Sequence, residues 1–127
     1  LNEITLILFQ CDPKEFAKYD ATNIPYPPLV KLFKWFKDNQ DFCKALVGRN
    51  GDILFLDKLS NALKGKLYLS AKDMENKTLL NNYVVPYSVY GFLGVLKQWI
   101  DTDSSATPQD MAVVSLKIIV SQMTIFK

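Results

Sequence analysis

The sequence predicts an all-α fold, a bundle of four to five helices with short connections. Three observations predict it. Apolar residues recur at three- and four-residue spacing in several separate stretches of the 127-residue chain. A helix-start signal, Thr107-Pro108-Gln109-Asp110, opens the last of them. No stretch sustains the strict alternation of a half-buried strand, and there is no internal repeat.

Taken in order, Leu1 to Cys11 places Ile4, Leu8 and Cys11 at helical spacing, with Ile7 alongside, and reads as the end of a helix. Asp12-Pro13 marks a break, and Lys14 to Tyr19 supplies one more turn. Asp20 to Pro28 holds three prolines and reads as an extended connector. Pro27 and Pro28 fit the first turn of the next helix, where a missing N–H costs little. That helix is expected to run to Gly48. One stripe joins Leu29, Leu32, Phe33, Phe36, Cys43 and Val47, and a second joins Trp35, Phe42 and Leu46. Gly48 to Gly51 is a tight turn, too short for a phosphate-binding loop. Asp52 can cap a helix carrying Ile53, Leu56, Leu59, Leu63 and Leu67, which Gly65 weakens.

Leu79 to Ile100, LLNNYVVPYSVYGFLGVLKQWI, is the dominant stretch. Asp73 or Asn76 can cap it. It is apolar, aromatic or small on all sides between Tyr83 and Leu96, too long for a strand and too short for a membrane span. A helix apolar all round must be covered all round, by the chain's own core on one side and most simply by a second copy on the other. Pro86 bends such a helix and frees a carbonyl. Thr107, Pro108 and Asp110 then form a capping-box start for the last helix. Met111, Val114 and Ile118 make one of its faces, and Ala112, Leu116, Ile119 and Met123 another.

Composition narrows the chemistry. The net charge is +2 with basic and acidic residues interspersed, which is not a nucleic-acid footprint. The chain has no histidine, so the Ser-His-Asp and Cys-His nucleophiles are excluded. Cys11 and Cys43 have no metal-type spacing and read as buried free thiols of a reducing compartment. Asp38 and Asp41 sit among lysines as a solvated face, and Asp101 and Asp103 fall short of a calcium loop. No metal, cofactor or catalytic set is expected. Without a signal peptide or an apolar run of about 20 residues, the expected setting is cytoplasmic, with no membrane partner.

The aromatic set has two readings. It is either a core rich in rings or an apolar pocket between helices with a few hydroxyls. Ser88, Gly91 and Gly94 are small enough for close helix approach, either within the chain or to a partner subunit.

Gly91 to Ile100, GFLGVLKQWI, then a short polar loop and Thr107 to Ala112, TPQDMA, resembles the C-terminal effector-binding and dimerisation domain of TetR/AcrR-family transcriptional regulators. The aromatic helix from Phe33, followed by Asn39 to Phe42 and a Leu-x-x-x-Asn-Gly-Asp turn at Leu46 to Asp52, is similar to that family as well. Order and spacing cover about Pro27 to Met123. The resemblance implies a bacterial regulator whose last two long helices pair with those of a second subunit in a four-helix bundle. It also implies that a small apolar effector binds between the helices of each subunit.

On that basis Phe33, Phe36, Tyr83, Tyr87 and Tyr90 are the expected pocket. Gly91, Leu93, Leu96, Trp99, Ala112, Leu116 and Ile119 are the expected homodimer contact. Residues 1–127 are expected to form one domain without the family's helix-turn-helix head. Operator DNA is then reached only through that absent head, which the start at Leu1 rather than Met places upstream of a fragment. The alternatives are a helical module that docks a partner helix and an all-α carrier of apolar ligands.

Overall fold

The computed structural model describes residues 2–47, 57–58, 60–65, 76–102 and 105–125. Its helices are α1 (Asn2–Phe9), α2 (Phe16–Thr22), α3 (Pro27–Asp38), α4 (Gln40–Val47), α5 (Val85–Asp101) and α6 (Pro108–Met123). Residues 60–65 are also helical, and no strand occurs among the described residues. The expected all-α bundle is therefore the fold. The Gly48–Gly51 turn and the Asp52 and Asp73 caps lie outside the described residues.

Local chemistry sets the helix ends. At α6 the capping box is complete: Asp110 N–H donates to Thr107 Oγ1 at 3.0 Å, and Thr107 N–H donates to Asp110 Oδ2 at 3.2 Å. Two boundaries differ from the sequence expectation. After a 3-10 turn at Pro13–Glu15, α2 continues to Thr22, so the extended connector is only 23–26. Asn23 ends α2 in the left-handed region at φ 59°, a role open to Asn as well as Gly. The expected single helix from Pro27 to Gly48 is interrupted at Asn39. There the backbone departs from helical values and the Asn39 side-chain amide donates to the Trp35 carbonyl at 2.8 Å.

Pro86 stands where a π-helical turn gives way to α5, inside a continuous helical run. A single α turn (Lys77–Leu79) and a π-helical turn (Leu80–Val84) precede α5, which places Pro86 in its first turn. The wider turn bonds Val85 N–H to the Leu80 carbonyl, and Pro86, which has no N–H to offer, follows it. Asn76 occupies the cap position, but through its backbone: its carbonyl accepts from Leu80 N–H, and its side chain makes no cap bond.

Helix α3 is the centre of the bundle, packed on α1, α4 and α6. Its buried stripe of Leu29, Leu32, Phe33 and Phe36 meets Ile4 and Leu8 of α1, Cys43 of α4, Phe92, Leu96, Trp99 and Ile100 of α5, and Met111, Ala112 and Leu116 of α6 in one core. A smaller core joins Leu80, Val85 and Val89 to Met123. Helices α5 and α6 run antiparallel. The start of α5 meets Met123 at the end of α6, while Trp99 Nε1 near the end of α5 donates to the Ala106 carbonyl before α6, at 2.9 Å. A clasp closes the α1–α2 side. Buried Tyr26 accepts Asp12 N–H at 2.8 Å and donates to Glu15 Oε1 at 3.1 Å, with Phe16 and Tyr19 edge-on to its ring. Across the bundle, Lys117 Nζ donates to the Asp20 carbonyl at 2.7 Å, placing a cation at the C-terminal turn of α2.

Candidate functional site

At 100° per residue, α5 divides into two faces. Val85, Val89, Phe92, Leu96 and Trp99 turn into the bundle. Tyr83 of the π turn, Tyr87, Tyr90, Gly91 and Gly94 turn out of it, and the three tyrosines are 68%, 68% and 58% exposed. Helix α6 divides in the same way. Met111, Ala112, Ser115, Leu116 and Met123 are buried, whereas Val114 and Ile118 are exposed, with Ile125 just beyond the helix.

This separates the residues expected to form a pocket. Phe33 and Phe36 are fully buried, and Phe33 stacks edge-to-face on Phe36, Phe92 and Trp99 at 5.3–6.4 Å. The three tyrosines project from the far side of α5, so the five side chains are not brought together. The residues expected at the subunit contact separate too. Leu96, Trp99, Ala112 and Leu116 are occupied by the chain's own core, because they share the phase of the face that meets α3. Leu93 and Ile119 are half-buried, and only Gly91 is exposed. A Cβ at Gly91 or Gly94 would meet nothing within 4 Å.

What α5 and α6 leave outward is an uncharged apolar surface. In α6 the exposed stripe lies about a quarter-turn from the seam where Ser88, Phe92 and Val95 face Ser115, Ile118 and Ile119, and in α5 it lies about a third of a turn from it, with Tyr90 nearly opposite. The helices are antiparallel, so both rotations run to the same side. Gly91 and Tyr87 therefore come nearest to Val114 and Ile118. Along α5 the charged side chains come towards the far end, where Lys97 pairs with Asp101 at 2.6 Å. Lys64 Nζ stands 5.4 Å from the Tyr90 ring, a cation–π contact at the margin of the surface.

On the inner side a cleft opens where the two cores meet. Its lining includes Leu8, Cys11, Leu29 and Phe92 from the larger core and Val89 from the smaller, with Leu63, Phe16 and Ile119 around them. Its cavity volume is about 40 Å³, and it is partly open to solvent. Ser88 is the one hydroxyl among the described residues of its lining. Ser88 Oγ and Ser115 Oγ are buried and make no hydrogen bond, an omission that costs roughly 1–3 kcal/mol per group. Both cysteines are buried and unbridged. Burial holds the Cys43 thiol at about 11, so it stays protonated and unreactive near neutrality.

Sequence reasoning passed over most of this lining. Leu8, Leu29 and Phe92 carry the same periodic signal as any core residue. Ser88 was visible as the one hydroxyl between Tyr87 and Tyr90, but only as a small residue.

The chain matches a TetR C-terminal family model described as "Transcriptional regulator C-terminal region" over residues 24–121. It belongs to that family. The match spans α3 to α6, the helices that build the core, the cleft and the outer surface. No curated protein and no solved structure matches the chain. Among the described residues no helix is long and apolar enough to cross a membrane.

Proposed function

We propose that this regulator domain binds a small apolar effector in the inner cleft and forms a homodimer through the outer surface of α5 and α6. It has no enzymatic activity of its own, it works in the cytoplasm, and it controls operator binding by an N-terminal head. The observation that carries the reading is the division of α5 into two apolar faces. A helix that buries Val85, Val89, Phe92 and Leu96 against its own chain still presents Tyr87, Tyr90 and two glycines outward, with Tyr83 of the preceding π turn exposed as well. Charge depletion and aromatic enrichment are the composition of an interface core. Glycines at 91 and 94 permit close approach of a second helix, and a two-fold pairing of α5 and α6 makes a four-helix bundle.

The cleft lies on the other side of the same α5–α6 pair. A ligand seated there acts on the helices that hold the subunits together, which is the coupling a regulator needs. The test fuses the chain behind a monomeric helix-turn-helix head whose operator binding requires dimerisation. Restored operator binding is expected, and its loss is expected in Tyr87→Glu with Ile118→Glu. A fusion that stays inactive while correctly folded contradicts the reading.

A further inference from the structure

The lining of the cleft specifies more than an apolar guest. We infer that its ligand is a neutral, largely apolar molecule carrying one oxygen function, a hydroxyl or a carbonyl, which is held at the α5–α6 seam by Ser88 and Ser115. The inference rests on the cleft being the effector site and names the chemistry that the site selects.

Two observations lead to it. The first is that among the described residues the cleft lining holds no charged side chain: beside Ser88 it is Leu, Ile, Val, Phe and Cys. A carboxylate or ammonium entering it would lose its hydration and gain no counter-charge, a penalty that keeps ions out of such sites. The second is the pair of orphan hydroxyls. Ser88 borders both the larger cleft and a smaller one at the seam, and the smaller one is shared with Ser115 on the facing helix. Both serines are more than nine-tenths buried, and neither Oγ has a partner. Ser60 Oγ and Asn81 Oδ1 are also unpartnered, but neither residue borders these clefts.

A buried hydroxyl in a helix ordinarily bonds a carbonyl one turn back. Here the two hydroxyls, one from each helix, are left for something else. Each can donate or accept, so an alcohol oxygen and a carbonyl oxygen are both served. The apolar remainder of the ligand then lies against Leu8, Leu29, Val89 and Phe92, with Leu63 at the junction of the two cores. Hydroxyl recognition of this kind discriminates between a ligand with the oxygen and one without it, because the lone hydroxyls stay unmade when it is missing.

The experiment titrates the 127-residue chain with three probes of one skeleton, toluene, benzyl alcohol and benzoate, at neutral pH. Binding is read by isothermal calorimetry and by ligand-observed NMR, in the wild type, in Ser88→Ala and in Ser88→Ala with Ser115→Ala. Benzyl alcohol is expected to bind about tenfold tighter than toluene. Benzoate is expected to bind at least about a hundredfold more weakly than benzyl alcohol. In the alanine variants toluene binding persists and the preference for the alcohol disappears. Because toluene binding serves as the fold control, a variant that binds neither probe is replaced by Ser88→Cys, which keeps the volume and weakens the hydrogen bond. Benzoate binding as tightly as the alcohol overturns the neutral-ligand inference. An alcohol preference that survives the double variant overturns the role of the two serines. If none of the three probes binds the wild type, the effector-cleft reading itself fails, and the inference fails with it.

Discussion

Phe33→Ala separates a core role from a pocket role at the residue where sequence and structure differ most. The ring is fully buried and makes edge-to-face contacts with Phe36, Phe92 and Trp99, which tie α3 to α5. Truncation removes the transfer free energy of a ring and leaves a void that surrounding helices close only in part, together about 3–5 kcal/mol. Each lost ring pair is worth about 0.5–1.5 kcal/mol and is already part of that range. A chain of this length has a total stability of roughly 6–19 kcal/mol, so the variant is expected to fold with its margin measurably reduced. The assay is urea unfolding at one fixed protein concentration, because a dimer gains stability with concentration. Fluorescence of Trp99, 5.3 Å from the Phe33 ring, reports the transition directly. A companion variant, Tyr87→Ala, removes a ring of similar size from the outer surface and is expected to cost the isolated subunit less than about 0.5 kcal/mol. A loss below about 1 kcal/mol in Phe33→Ala refutes the packing argument, since it means that the ring borders space rather than filling it.

Two further predictions concern the clasp and the cap. Burial, chiefly, and then the neighbouring Glu15 carboxylate and Cys11 push the Tyr26 hydroxyl up to about 12, against an opposing hydrogen bond from Asp12 N–H. The unfolded tyrosine therefore ionises first, near 10, and the contribution of Tyr26 to stability is expected to fall between about 10 and 12, on top of the fall from about 9 to 11 that the raised Cys43 thiol contributes. Tyr26→Phe removes both bonds, costs about 1–3 kcal/mol and flattens the upper part of the alkaline fall, leaving the Cys43 part, which pH-dependent unfolding curves check. Thr107→Ala breaks the capping box of α6 and is expected to cost about 1 kcal/mol, measured as a shift of the urea midpoint with an unchanged slope; a neutral substitution contradicts the cap.

The parts of the fold that were legible in the sequence are those decided locally. Thr107, Pro108 and Asp110 name the start of α6 within four residues, and the structure forms both bonds they promise. The stripe Leu29, Leu32, Phe33, Phe36 is buried as its spacing requires. Less legible were features in which a local signal had two outcomes. Asn39 can continue a helix or bond back to it, and its side chain chose the Trp35 carbonyl. Pro86 reads as a break in mid-helix, and a π turn set by the residues before it is how the chain accommodates the missing N–H. The site was hardest for a related reason. Helix α5 is apolar all round, so periodicity shows two apolar faces but not which of them meets the chain's own core. Leu96 and Trp99 went to the chain's own core, and the tyrosines, which carry hydroxyls like many pocket residues, went outward. The phase relative to α3 decides this, and phase is a tertiary property. Ser88 and Ser115 were illegible because a serine in a helix is ordinary, and only the missing hydrogen bonds mark them.

The homodimer through the outer face of α5 and α6 is tested most directly by sedimentation equilibrium of the chain at about 10 μM, beside Tyr87→Glu with Ile118→Glu. The wild type should sediment at twice the 14.5 kDa chain mass, and the double variant, with one charge on each exposed stripe and the core residues untouched, at the chain mass. A monomeric wild type, or a folded double variant that remains dimeric, contradicts the account.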